Sequence, residues 1–102
     1  MRTLLMNQEE AIRKIDKQIE AIDDLQTLTS NSSKFIKWLD DTEELIEEIF
    51  GGKTRFVEDF NAIYFTPFFL SCQSKETVFD EAYLGGLEEA RSFLHFLIDE
   101  IE

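Results

Sequence analysis

Apolar residues in the first quarter of the chain recur at Leu5, Ile12, Ile15, Ile19, Ile22 and Leu25, stepping mostly by threes and fours. That is the period of one helical face. It predicts a long amphipathic helix from about Arg2 to Leu28, within residues 1–29. Leu5, Ile12 and Ile19 lie seven apart, as do Ile15 and Ile22, so the stripe is as narrow as a coiled-coil seam with Ile at its core positions. Gln8 and Gln26 interrupt it at each end. Two uses are open to this seam: packing on the other helices of the chain, or self-association into a homo-oligomer through those six residues.

Thr27 to Ser33 reads TLTSNSS, a cluster of turn and cap residues with no apolar period, and residues 30–33 form the linker. Ser32 or Ser33 is suited to cap the next helix. That helix is expected from about Lys34 to Phe50. Phe35, Trp38, Leu39, Thr42, Leu45, Ile46, Ile49 and Phe50 lie on one face, and acids from Asp40 to Glu48 lie on the other. Gly51-Gly52 ends it, because glycine accepts the left-handed conformation of a C-terminal cap.

A short helix follows over about 54–62, with Phe56, Val57 and Phe60 inward. An extended segment near residues 63–67 follows it, stopped by Pro67. Phe68, Phe69 and Leu70 make an unusually apolar loop, either tucked against the core or serving as a partner-docking surface. The last helix is expected from Glu76 or Thr77 to Ile101. Gly85-Gly86 inside it costs about 1 kcal/mol per glycine relative to alanine, which calls for a compensating close helix crossing or a kink. Phe96 falls off its main stripe and hints at a second buried side. Trp38, Phe50, Phe56, Phe60 and Phe65 should form one aromatic cluster, with the stretch 34–65 organising the rest.

The pattern predicts an all-α fold: a bundle of about four helices forming one domain over 1–102, with residues 34–102 as its helical core. Composition supports folding, since 43% of residues are hydrophobic and only one is Pro. The formal charge of −12 changes the picture more. It disfavours binding to nucleic acid or an anionic membrane and favours a basic protein partner. An acidic inhibitor of such a partner is one form of that expectation. The apolar run at the N-terminus is too short for a signal peptide, and no stretch is long enough to cross a membrane. Cys72 is the only cysteine, which fits a reducing cytoplasm.

The search for chemistry returns little. GGKT at 51–54 lacks the spacing of a phosphate-binding loop, because Glu47 stands where that motif needs glycine and a helix precedes it where a strand is required. Lys53, Thr54 and Arg55 at the start of the short helix remain a candidate anion or nucleotide site, with Arg13, Lys14 and Lys17 as further phosphate contacts. Ordinary capping by Thr54 is the simpler reading. His95 has no neighbouring ligand or nucleophile. No metal or cofactor motif occurs, and the chain is expected to be non-enzymatic.

Trp38, Leu45, Ile49-Phe50-Gly51, Thr54, Phe56, Phe60, Ile63, Phe65, Pro67, Gly86-Leu87, Ala90, Leu94 and Ile98 together resemble a known pattern. It consists of a Trp-containing helix, an FG…S junction, an F..I.F.P segment and a GL..A...L helix. The pattern is similar to the small helical domain at the N-terminus of bacterial predicted nucleotide-binding proteins with a TIR-like C-terminal domain, associated with anti-phage defence. The likeness covers about Lys34 to Glu102, with Thr54 where serine is usual. It implies an accessory helical domain for oligomerisation or partner sensing, isolated from a longer protein or used alone. Two functions follow as expectations: a helical interaction or oligomerisation module in a defence setting, or a small protein that binds and sequesters a nucleotide signal.

Overall fold

Asn7 decides where the first helix begins. Its side-chain oxygen accepts from the backbone amides of Glu9 and Glu10 at 2.9 and 3.3 Å, satisfying two of the free N–H groups of a helix start. Those two glutamates also place negative charge at the positive end of the helix dipole. Helix α1 therefore spans Gln8–Leu25, shorter at both ends than its periodicity predicts. The computed structural model describes residues 4–52, 54–65 and 76–102, including all their side chains except those of 76–79.

Helix α2 spans Ser33–Phe50, with Ser32 as its cap accepting from the Lys34 amide. Gly51 ends it at φ 105°, and its N–H donates to the Glu47 carbonyl at 2.8 Å. A second orphan carbonyl at this end, that of Ile49, accepts from the Leu5 amide at 2.9 Å. The segment ahead of α1 is thereby pinned to the end of α2, with Leu4 and Met6 packed against the core. Helix α3 is short, Arg55–Asn61, and α4 is the longest element, Glu76–Ile101. The described residues form an all-α bundle of four helices, with no strand among them.

The centre of the bundle is α1, which packs against both α2 and α4, while α3 packs against α2. This corrects the expectation that 34–65 organises the rest. The indole of Trp38 donates to the Gln18 carbonyl at 3.0 Å, and Leu5 meets Ile49 beyond the other end of α1, so α1 and α2 run antiparallel. Tyr83 meets Leu25 and Arg91 meets Asp23, later positions of α4 with earlier positions of α1, which makes that pair antiparallel too. The seam of α1 is consequently core: Ile15 and Ile22 are fully buried, with Leu25 and Ile19 nearly so.

Ile63 and Phe65 tuck half-buried against this core, while Tyr64 between them is exposed. Their approach explains one of the two glycines of α4. A Cβ on Gly86 would lie 2.5 Å from the Tyr64 carbonyl oxygen and 2.6 Å from the Phe65 ring, whereas Gly85 has open space around it. The compensation for Gly86 is thus a loop lying on the helix. Neither the helix crossing nor the kink expected from sequence is needed, and α4 continues unbroken through both glycines.

Candidate functional site

Phe56 and Phe60 stand one turn apart on α3, and Phe93 and Phe96 stand one turn apart on α4. Matching helical spacings bring the pairs together. Phe56–Phe96, Phe60–Phe93 and Phe93–Phe96 each have ring centroids 6.2 Å apart. The series continues from Phe56 to Phe50 at 4.5 Å, and from Phe60 to Trp38 at 6.1 Å. Trp38 leads to Phe35, and Phe35 to Phe65 and Tyr83. The five aromatics expected to cluster do belong to one network, linked through Phe35, Phe93 and Phe96.

One end of this network reaches solvent. Phe56 is buried, Phe93 is half-buried and Phe96 is 45% exposed. The second buried side that Phe96 suggested is therefore only half made. Glu89, Phe93, Phe96 and Glu100 share one stripe of α4, spaced by four, three and four residues. Both glutamates are exposed, so the aromatic ridge has an acid at each end. Across from it on α3, Arg55 is 3.6 Å from Asp59, and Asn61 donates to Glu43 on α2.

The expected oligomerisation seam offers little surface. Ile15, Ile19, Ile22 and Leu25 face the chain's own core, and Ile12 is partly buried against it. Leu5 is exposed but lies ahead of the helix, not on its stripe. Phe68, Phe69 and Leu70 lie outside the described residues, as does Lys53.

The other two members of the anion site do not converge. Thr54 is the N-cap of α3 by position, but its side chain makes no capping bond, and its hydroxyl oxygen is buried without a partner among the described residues. Arg55 points into solvent beside Asp59. Helix α3 has only seven residues, too short to develop a substantial dipole. Arg13, Lys14 and Lys17 border two shallow hollows of α1, each interleaved with acids: Glu9, Asp16 and Glu20 in one, Asp41, Glu44 and Glu48 in the other. Lys14 already pairs with Glu10 at 3.3 Å. A phosphate in either hollow would meet three carboxylates against two cations.

A polar knot that the periodicity does not announce lies where α1 crosses α2. Gln18 donates through Nε2 to the fully buried Thr42 hydroxyl at 2.6 Å, while its backbone carbonyl takes the Trp38 indole. The one signal for it was a threonine on an otherwise apolar helix face. At the other end of α1, the Leu25 carbonyl accepts from both the Leu28 amide and the Tyr83 hydroxyl, and burial raises the Tyr83 pKa above the ordinary tyrosine value. Arg91 bonds Asp23 at 3.0 Å, which raises its pKa further, and its Nε lies 3.5 Å from Glu88, at ion-pair distance. These contacts are structural.

His95 is exposed, and no group of His, Cys, Asp or Glu able to hold a metal ion occurs among the described residues. No described helix is long and apolar enough to cross a membrane. No family model, curated protein or solved structure matches this chain.

Proposed function

We propose that this chain is a non-enzymatic helical interaction module that binds another protein, in a bacterial or phage defence setting. The observation that carries the interaction reading is the exposed end of the aromatic network, where Phe96 stands half in solvent above Phe93 and Phe56. Isolated exposed apolar residues are common on small proteins. An exposed aromatic continuous with a buried aromatic layer is less so, and aromatic side chains of this kind anchor protein interfaces. The defence setting rests on the resemblance of residues 34–102 alone.

Self-association through the first helix has lost its main support, because that seam is committed to the core. Sequestration of a nucleotide gains nothing from the separated positions of Thr54, Arg55 and the α1 cations. The test is purification of the tagged chain from its native host at low salt, then reconstitution from two purified components. A stable stoichiometric complex is the expected result. Titration calorimetry against a panel of cyclic nucleotides should give no heat; saturable heat in that assay, with no protein complex formed, would replace this reading by the ligand-binding one.

A further inference from the structure

We infer that the ridge Phe93–Phe96, with Phe56 beneath it, receives a basic amphipathic helix of a different protein. This rests on the interaction reading above and names its surface and partner. The apolar part is sized for a helix: rings 6.2 Å apart along the ridge match the roughly 5–6 Å spacing of side chains three or four positions apart on a helical ligand.

Charge selects the sequence around those anchors. Glu89 flanks the ridge on its own stripe and is exposed. Glu43 stands on the α2 side bonded to Asn61, and Arg55 on α3 is paired with Asp59. Arg91, the one lysine or arginine of α4, is turned toward α1, where it bonds Asp23. A ligand with lysine or arginine around its apolar positions meets this rim favourably, whereas a second copy of the chain brings another −12 against it. The ridge is also remote from the point where Tyr64 and Phe65 cover Gly86, since ten residues of helix separate Gly86 from Phe96, about 15 Å.

Two synthetic helical peptides with identical leucine spacing, one with lysine and one with glutamate at the remaining positions, test the assignment by fluorescence anisotropy. Binding is measured on the full chain, on Phe96→Ser, and on Ile36→Ser, which removes a different exposed apolar residue on α2. Thermal melts confirm that each variant is folded. The lysine peptide should bind the wild type, weaken about tenfold or more on Phe96→Ser, remain unchanged on Ile36→Ser, and weaken with salt. Equal affinity for wild type and Phe96→Ser, or equal losses for both variants, overturns the site. A chain that instead dimerises through Phe96 overturns the basic partner but leaves an interaction module standing. If neither peptide binds and the chain stays monomeric without a partner, both readings fall.

Discussion

The Gln18 carboxamide donates to the Thr42 hydroxyl across 2.6 Å, at a point where Thr42 is fully buried between α1 and α2. A hydroxyl in that position must be hydrogen-bonded, because leaving it unpaired away from water costs on the order of 1–3 kcal/mol. Gln18→Leu removes the donor and leaves the hydroxyl behind. It should lower stability by that amount in urea titration, whereas Thr42→Val, which removes the polar group itself, should cost less. Equal costs would show that the hydroxyl finds another partner.

Gly85 and Gly86 are adjacent in sequence but opposite in consequence. Gly86→Ala forces a methyl group into the Tyr64 carbonyl and the Phe65 ring, and overpacking of this kind costs about 1–3 kcal/mol or more. Gly85→Ala meets nothing and should stabilise by about 0.5–1 kcal/mol through helix propensity. Thermal denaturation of the two variants should therefore move Tm in opposite directions.

Ile15 separates the two uses of the first seam. Because it is fully buried in the chain's own core, Ile15→Asp should abolish cooperative unfolding and helical circular dichroism. Leu5→Ser, at a side chain 69% exposed, should change stability by less than about 0.5 kcal/mol. A folded, monomeric Ile15→Asp protein derived from an oligomeric wild type would restore the seam as an interface.

Tyr83 makes stability depend on alkaline pH. Its folded pKa is raised by burial above the ordinary value of 10.0, so between the unfolded and folded values the native state holds more protons than the unfolded one. The stability this provides is complete below pH 10.0 and is lost as pH rises through the folded pKa. Urea midpoints should fall above that pH, and Tyr83→Phe should flatten the Tyr83 part of the slope. The same variant removes one of two donors to the Leu25 carbonyl, at a cost of about 1 kcal/mol at neutral pH.

Much of the fold was legible in the residues themselves. The 3.6-residue period placed all four helices, and Ser32, Gly51 and the end of α4 marked boundaries, because capping and helix termination are local chemistry that a short window contains. The start of α1 was misplaced because Leu4, Leu5 and Met6 extend the apolar pattern past Asn7. Their actual role is to fasten the segment ahead of α1 to the end of α2, through a bond from Leu5 to Ile49 that spans most of two helices.

What the sequence determined by itself was the helical class, the amphipathic faces, the acidic surface and five members of the aromatic cluster, all of which follow from residue type and period; that Phe35, Phe93 and Phe96 join them was not legible. Tertiary structure decided the use of each face. A coiled-coil-like seam specifies that it be covered without specifying by what, and in this protein α2 and α4 cover it from within. It likewise decided that Phe96 ends the aromatic network in solvent and that Gly86 serves a loop. Both depend on which surfaces meet once the chain has closed on α1, and no local pattern carries that information.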